Sequence, residues 1–505
     1  MSLKRNIFAN YVGQTYATLI AIAMMPMYVR YMGVEAYGLI GFFAMLQAWF
    51  QLLDMGLTPT MARETARYQG GAVDALNLRR LLRSLEGVFI AVAVLGGSWI
   101  VMGANFIAAH WLKVEQLPLA EVERAISLMA MIIALRWVCG LYRGAINGFE
   151  RLIWLSGLNV IGATARFVLV IPFFIYIGTS PTEFFTYQLA IAALETIVLM
   201  LKTYQLLPRL ENTGQVPWQW EPLRGVLKFS LSIAFTSSVW VLVTQTDKLI
   251  LSKILPLKEY AYFTLAVLVA SGVGIISGPI SSALVPRMTK LWAEGDNAGF
   301  VRVYRNATQL VAVIAIPAAM MLSFYAEPIL WAWTGDAMIS QNAAPVLRLY
   351  ALGNGILALG AFPYFLQYAK GDLHLHVIGN FLFVTLLIPS VIWATQRYGV
   401  EGAGYAWLSA NAVYFIVWVP LVHSRLLKGI HISWLLRDVA PTMLLSVVGI
   451  GLLDNFFVIP TSRIYAAAFL ISAGMVLLIL GSMASAPIRG AIRGGLGLGT
   501  RGHNG

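Results

Sequence analysis

Several ionisable side chains lie within long apolar stretches of the chain, where a charge is costly unless it faces a polar cavity or a partner. Among them are Arg136, Arg143, Arg166, Glu195 and Asp247. Arg136 and Arg143 are seven residues apart, so they share one face of a helix. The guanidinium fork of arginine matches the oxygens of a phosphate group. The pattern therefore predicts a cationic lumen that favours an anionic cargo.

Amide, hydroxyl and aromatic side chains accompany these charges, and such groups fix the orientation of a ligand in a pocket. Asn159 stands seven residues before Arg166, and further polar stripes follow on the next two helices. Arg348 lies near the predicted outer end of its own helix. The remaining lumen candidates are aromatic or amide side chains, namely Trp137, Tyr142, Asn159 and Trp240.

Two interpretations of Glu195 remain open from the sequence. In one, Glu195 takes up and releases a proton and so couples transport to an ion gradient, with Asp247 as a second coupling candidate. In the other, Glu195 is a permanent partner of Arg166 between neighbouring helices. Asp54, near the cytoplasmic end of the second helix, is better suited to a capping or interfacial role than to catalysis.

Prolines within helices free backbone carbonyls and kink the chain. Pro26, near the end of the first predicted helix, and Pro279, late in the eighth, are the gating candidates. Fixed curvature is the alternative explanation for both.

The composition indicates the class of protein that must hold these residues. Of 505 residues, 59% are hydrophobic and 11% charged, and the mean hydropathy is +0.74. A soluble domain is about a quarter charged, so this chain is predicted to be an all-α polytopic membrane protein. The net charge of +12 is explained by basic membrane loops rather than by nucleic-acid binding. Cys139 is the single cysteine, which excludes a disulfide framework within the chain.

Apolar stretches of about 20 residues, long enough to cross a bilayer, recur along the whole chain. They predict fourteen transmembrane helices, near 7–30, 37–58, 85–108, 125–147, 153–177, 183–206, 226–252, 259–285, 306–327, 343–367, 374–395, 402–424, 438–457 and 463–484. The first is longer than a signal-peptide core and is predicted to be permanent. Of the 35 lysines and arginines, 24 fall on the side of the N-terminus, seven on the other side and four within helices. This bias predicts that both termini are cytoplasmic.

The chain contains an internal repeat with an offset of about 222 to 227 residues. Residues 28–37 are matched by 251–262, and the Pro-x-Met-x-Arg segment at 59–63 is matched by Pro-x-Met-x-Lys at 286–290. The repeat predicts two six-helix bundles of parallel topology, 1–210 and 226–425, joined by a cytoplasmic linker at 211–225. Two additional helices follow within 426–486, and the Gly- and Arg-rich tail, 487–505, is predicted to be disordered.

The sequence also resembles a known family at specific positions. They are Asn10 through Pro26, Arg30, Gly33, Tyr37, Gly38, Asp54 through Leu57, Arg63, Gln245 through Leu251, and Glu259 through Tyr262. These residues resemble the bacterial polysaccharide-biosynthesis exporters, the Wzx-type O-antigen and exopolysaccharide flippases of the multidrug/oligosaccharidyl-lipid/polysaccharide (MOP) superfamily. Pro256 departs from the glycine common in that family.

The resemblance implies a MATE-like fold in the bacterial inner membrane. It also implies that an undecaprenyl-diphosphate-linked oligosaccharide is carried to the outer leaflet by alternating access. Membrane lipids would be partners, and polysaccharide polymerase and chain-length proteins remain open as further ones. No catalytic residue, cofactor or metal site is predicted, since no P-loop is present and the six histidines form no ligand set. The alternatives are a cation-coupled multidrug antiporter of the MATE branch and, third, a membrane glycosyltransferase or polymerase.

Overall fold

The computed structural model describes residues 3–208, 220–275 and 277–495. Side chains are described for residues 12–208, 220, 221, 223, 224, 230, 238–274, 280 and 284–490. In these ranges the chain is helical, and its one β-bridge joins Lys113 to Pro256. The chain divides into two compact units, Met1–Ala261 and Tyr262–Gly505.

The first unit contains ten complete helices. They are α1 (Leu3–Met32), α2 (Val34–Phe50), α3 (Leu57–Gln69), α4 (Ala75–Met102), α5 (Ala104–Phe106), α6 (Leu119–Gly148), α7 (Leu152–Phe167), α8 (Val170–Tyr176), α9 (Pro181–Leu206) and α10 (Glu221–Ile254). A 3-10 turn, Gln51–Asp54, extends α2, and a π-helix, Ile107–Trp111, follows α5. The predicted linker, 211–225, lies mostly outside the described residues.

The second unit begins within α11 (Leu257–Ile275). Its further helices are α12 (Ser277–Ala293), α13 (Asn297–Phe324), α14 (Ala326–Thr334), α15 (Ala337–Gly360), α16 (Phe362–Lys370), α17 (His374–Tyr398), α18 (Val400–Val413), α19 (Val419–Leu426), α20 (Ile430–Trp434), α21 (Ala440–Phe456), α22 (Arg463–Ala484) and α23 (Ala486–Gly495). Two π-helices, Tyr414–Trp418 and Leu435–Val439, interrupt this series.

The predicted membrane architecture is confirmed. Among the described residues, twelve helices are long and apolar enough to cross a membrane, and each coincides with a predicted span. The other two predicted spans, 226–252 and 259–285, fall on α10 and on the pair α11 and α12. Part of each of these lies outside the described side chains.

The helices that correspond in the two repeats begin at matching positions. Helix α4 begins after Asp74, whose carboxylate accepts a hydrogen bond from the Asn77 N–H at 3.1 Å. Helix α13 begins after Asp296, whose carboxylate accepts from the Gly299 N–H at 2.8 Å. Both side chains cap a helix N-terminus. These caps explain why α4 and α13 begin about ten residues before the predicted spans: the polar first turns continue the helix outside the apolar segment.

Residue 276, within the predicted span 259–285, lies outside the described residues, and the gating candidate Pro279 falls within α12. One further boundary differs from the prediction. The tail predicted to be disordered is helical up to Gly495, so that part of the prediction is wrong. The Ala486 N–H at the start of α23 donates to Gln309 Oε1 at 2.8 Å, which anchors this helix to α13. Residues 496–505 lie outside the described residues.

Candidate functional site in the first unit

Helix α6 presents its polar side chains beside a close contact with α3. A Cβ added to Gly144 would lie 2.5 Å from the Thr58 carbonyl oxygen, and one added to Gly140 would lie 3.0 Å from Thr58 Oγ1. Small residues four apart let two helix backbones approach closely in a membrane. Arg136 precedes Gly140 by one turn, so this packing places it near the start of α3.

Arg143 is paired with a carboxylate. One of its guanidinium nitrogens donates to Glu195 Oε1 on α9, and another donates to Asn159 Oδ1 on α7. Glu195 is buried, with 7% of its surface exposed. The structure therefore places the Glu195 ion pair on Arg143, whereas the sequence had suggested Arg166.

Arg166 lies next to this pair near the end of α7. Its Nε donates to the Gly162 carbonyl at 3.1 Å. A Cβ added to Gly162 would lie 3.7 Å from Arg166 Nη2 and 3.8 Å from Glu195 Oε2, so both charged groups border the same glycine. We call Arg136, Arg143, Arg166 and Glu195 the arginine cluster. It contains three cationic groups and one anionic group.

The break between α7 and α8 helps to fix the arginine cluster. The α-helical bonding pattern stops at Phe167, ahead of Pro172, and leaves carbonyls without a helical donor. Tyr28 donates to the Arg166 carbonyl at 2.9 Å, and Gln188 Nε2 donates to the same oxygen at 2.9 Å. Tyr187 donates to the Ala165 carbonyl at 2.7 Å. These bonds hold the end of α7 against α1 and α9.

Arg136 has only neutral partners among the described residues. Its Nη1 donates to Gln47 Oε1 at 2.9 Å, and its Nη2 donates to Gln188 Oε1 at 3.3 Å. The guanidinium carbon lies 5.2 Å from the centre of the Phe43 ring. Its Nε is buried and has no hydrogen-bond partner in the described part of the chain. Amide oxygens orient the guanidinium but do not neutralise it, so its charge remains available to an anion.

A cavity of about 360 Å³ adjoins Arg136 within the first unit. Its polar wall is formed by Arg136, Gln51, Asp54 and Thr58, and its remaining lining residues include Trp137, Gly140, Ser238 and Val241. The Asp54 carboxylate accepts from Thr58 Oγ1 at 2.6 Å and from the Thr58 N–H at 3.2 Å. Asp54 thus caps the start of α3, as predicted, while it also lines the cavity.

The family of this chain is shown by its first 292 residues. Residues 3–292, more than half of the chain, match the family model described as "Polysaccharide biosynthesis protein". The chain belongs to the polysaccharide biosynthesis protein family. A protein of Shigella flexneri named as an O-antigen transporter is 21% identical over 81% of this chain and 94% of its own length. The membrane protein EpsK of Bacillus subtilis is 20% identical over 86% of this chain and 94% of its own length.

Solved structures show that this family member has the fold of the MOP superfamily. The lipid II flippase MurJ, in an inward closed conformation, superposes with a TM-score of 0.73 at 14% identity. The superposition covers 96% of this chain and 99% of MurJ. An inward-facing MATE transporter of the MOP superfamily gives a TM-score of 0.68 at 14% identity, covering 82% and 96%. The resemblance inferred from the sequence is therefore confirmed for family and fold.

The remaining predicted site residues of this family member lie apart from the arginine cluster or serve in packing. Trp137 is buried, and its ring stacks on Phe89 with centroids 4.2 Å apart. Trp240 is 59% exposed on α10. Arg348 is exposed on α15 in the second unit.

The second coupling candidate and the first gating candidate also have defined places. The buried Asp247 side chain lies 3.3 Å from Lys248 Nζ in an ion pair on α10. Helix α1 continues through Pro26 without interruption. Neither Asp247 nor Pro26 belongs to the arginine cluster.

Sequence reasoning missed Gln47, Gln51 and Thr58 as parts of the site. Gln47 and Gln51 are four residues apart on the second predicted span, so they follow one face of it. Their spacing was a usable signal, since two amides in an apolar helix need polar partners. The contact of Thr58 with Gly140 depends on tertiary packing, which single-sequence patterns do not reveal.

Proposed function

We propose that the protein is a flippase that carries an undecaprenyl-diphosphate-linked oligosaccharide from the inner to the outer leaflet of the cytoplasmic membrane. The cargo would be an O-antigen or exopolysaccharide repeat unit. The observation that carries the proposal is Arg136: a guanidinium in the middle of a membrane helix, held by two amide oxygens and facing a cavity.

The electrostatics of the arginine cluster support an anionic cargo. Glu195 neutralises Arg143, which leaves the charges of Arg136 and Arg166 without a carboxylate ion-pair partner among the described residues. Arginine binds phosphate oxygens with two parallel hydrogen bonds, which are roughly twice as strong as neutral ones. Such bonds offset the desolvation of a diphosphate that leaves water. Once in transit, each negative charge moved outward gains about 2.3 kcal/mol per 100 mV of interior-negative potential.

The names of two similar proteins also support a transport function. The Shigella protein is named as an O-antigen transporter, and MurJ is named as a lipid II flippase. Both names describe the movement of a molecule, an O-antigen in one case and lipid II in the other. We extend that activity to this chain because its cluster has the charge that a diphosphate requires.

Glu195 is the coupling residue in this proposal. A proton on Glu195 would remove its ion pair with Arg143 and raise the net charge of the arginine cluster from two to three. Loss of the proton would restore the pair and weaken cargo binding. Asp247, already paired with Lys248, is the second coupling candidate.

The proposal places both termini in the cytoplasm, in line with the basic bias of that side. It keeps two six-helix halves, 1–210 and 226–425, as the moving bundles of an alternating-access cycle, with Pro26 and Pro279 as gating positions. Membrane lipids are partners throughout, and polysaccharide polymerase and chain-length proteins would act on the delivered cargo. Transport, rather than transfer of a chemical group, is the activity.

Reconstitution into liposomes tests this function. The expected result is movement of a fluorescent undecaprenyl-diphosphate-linked oligosaccharide between leaflets, with no accumulation of a cationic dye under a proton or sodium gradient. Empty liposomes provide the baseline. Dye accumulation without lipid movement would instead assign the protein to the multidrug branch. Release of free sugar or growth of the saccharide would assign it an enzymatic role.

A further inference from the structure

We propose that His423 and His431 in the second unit bind one proton between them, and that this proton reverses their hydrogen bonds with Tyr304. The inference goes beyond the proposed function, because it does not depend on the cargo. His423 is fully buried in α19, and His431 is partly exposed in α20. Their Nδ1 atoms are 2.9 Å apart. The other ring nitrogen of His423, Nε2, lies 2.6 Å from the hydroxyl oxygen of Tyr304 on α13.

The contact between the two Nδ1 atoms limits where protons can lie. One Nδ1 must carry a proton and the other must accept it, because two bare nitrogens or two N–H groups repel each other. Tyr304 selects one of the two neutral arrangements. Among the described residues, its buried hydroxyl has His423 Nε2 as its one hydrogen-bond partner, and a buried hydroxyl proton needs an acceptor. Tyr304 therefore donates to His423 Nε2, and His423 Nδ1–H donates to His431.

A proton taken up by His431 reverses this chain of hydrogen bonds. The charged ring carries an N–H group on both nitrogens, so its Nδ1 can only donate. His423 Nδ1 must then accept, and the single proton of the neutral His423 ring lies on Nε2. This Nε2–H donates to the Tyr304 oxygen, so Tyr304 changes from donor to acceptor. The count balances, since Tyr304 and His423 each keep one proton and His431 holds two.

The surroundings of His431 favour the added charge. Its ring is stacked on Trp434, with centroids 6.0 Å apart and planes at 29°, and an indole face attracts a cation at about this distance. Trp434 is held in place because its Nε1 donates to Thr308 Oγ1 on α13 at 3.0 Å. Helices α13, α19 and α20 meet at these side chains, so uptake of the proton changes the contact between the three helices.

The charged groups on the neighbouring elements do not supply a free counter-ion. Asp438, the one carboxylate that α13, α16 and the π-helix Leu435–Val439 contain, is paired with Arg305. Lys370, at the end of α16, donates to the Leu426 carbonyl at 2.6 Å. The remaining charged side chains nearby in the sequence of these elements are exposed and basic, namely Arg302, Arg425, Lys428 and Arg437. The added proton is therefore held by the two histidine rings themselves.

Solid-state NMR of the full-length protein in liposomes, with nitrogen-15 in its histidines, tests this site, because nitrogen shifts distinguish the two neutral tautomers from the charged ring. At pH 8 we expect His423 as the Nδ1–H tautomer and His431 neutral. At pH 5 we expect His431 charged and His423 neutral as the Nε2–H tautomer. The cross-peak between the two close Nδ1 atoms identifies the pair among the six histidines without any substitution.

Three variants add controls. His431→Gln should abolish the tautomer change of His423, since an amide does not titrate. Tyr304→Phe should leave His423 as a mixture of tautomers at pH 8, because the hydroxyl that selects one of them is gone. Tyr368→Phe, at an exposed tyrosine of α16, should change nothing.

The spectra of the unmodified protein decide the outcome. A neutral His431 at pH 5 would overturn the proton site. The same His423 tautomer at both pH values would overturn the reversal, and a charged His423 beside a charged His431 would overturn the sharing of one proton. Cargo is absent from this measurement, so its failure would leave the proposed function intact, and a failure of lipid flipping would leave the histidine site intact.

Discussion

Arg143 on α6 and Glu195 on α9, 52 positions apart in the chain, form an ion pair inside the first unit. Glu195 is 7% exposed, and Asn159 on α7 completes the coordination of the guanidinium. The pair therefore connects three helices at the level of the arginine cluster. It also separates the roles of two arginines on one helix face: Arg143 is neutralised by a carboxylate, and Arg136 is not.

The first prediction concerns the stability of this pair. Glu195→Gln should destabilise the protein by about 2–4 kcal/mol, because it leaves the partly buried guanidinium of Arg143 without its counter-ion. Adding Arg143→Gln should restore most of the loss, whereas adding Arg166→Gln should not. Thermal unfolding of the three variants in one detergent measures this. Rescue by Arg166→Gln instead would mean that Arg166 is the true partner.

A second readout on the same variant tests coupling. If Glu195 exchanges a proton during transport, the Glu195→Gln variant should lose the pH dependence of lipid flipping, measured in liposomes between pH 6 and pH 8. The Arg143→Gln/Glu195→Gln double variant controls for the loss of stability. An unchanged pH profile in both variants would show that Glu195 is a structural partner only.

The second prediction concerns an anchored loop before α6. The Glu35 carboxylate, 4% exposed, accepts from the N–H groups of Glu115, Gln116 and Leu117 at 2.6, 2.8 and 3.0 Å. Glu35→Gln replaces one acceptor oxygen with a donor and should weaken this anchor by about 2–4 kcal/mol. Hydrogen exchange of the three amides should then become faster. Glu115→Gln, an exposed acid in the same loop, is the matched control. Equal exchange rates in both variants would contradict the anchoring role.

The third prediction concerns the helices that follow the second repeat. Asp438, 1% exposed in the π-helix before α21, accepts from Arg305 Nε at 2.7 Å, Arg305 Nη2 at 3.0 Å and Gln309 Nε2 at 2.7 Å. Asp438→Asn should cost about 3–5 kcal/mol, because the Arg305 charge loses its bidentate partner. Asp454→Asn, at an exposed site on α21, should cost almost nothing. Comparable thermal stability of the two variants would show that this contact does not hold the final helices to α13.

The fourth prediction concerns orientation. Reporter fusions in the loops at Gly71 and Gly429 should report the cytoplasm, and fusions at Gln116 and Asp336 should report the opposite side. This expectation is based on the surplus of lysine and arginine near the loops at Gly71 and Gly429. A reversed signal at two of the four sites would rule out cytoplasmic termini.

The sequence predicts the fold well because the features that indicate it extend over many residues. Apolar runs of membrane length and the two Pro-x-Met segments indicate the spans and the repeat, and the span predicted at 463–484 coincides with α22. Helix ends are less predictable, since Asp74 and Asp296 begin their helices outside the apolar segment.

The candidate site was only partly predictable. The spacing of Arg136 and Arg143 predicts that they share one face of a helix. In the structure both donate to side chains on α9, Arg136 to Gln188 and Arg143 to Glu195. The spacing does not specify partners. Which arginine meets Glu195 depends on the rotation of α6, α7 and α9 about their axes, and that rotation is set by contacts such as Gly144 with Thr58. The residue types indicate which interactions the site can make, and only the tertiary structure shows which atoms make them.

The most direct test of the central claim is the rate of lipid flipping by Arg136 variants in liposomes. We predict that Arg136→Gln lowers the rate for an undecaprenyl-diphosphate-linked oligosaccharide by about ten- to a hundredfold, the value of one or two charge-assisted hydrogen bonds. Arg136→Lys should recover only part of the rate, because a single ammonium cannot give two parallel bonds. Arg124→Gln should behave like the unmodified protein. A normal rate for Arg136→Gln, at equal protein content in the liposomes, would contradict the account.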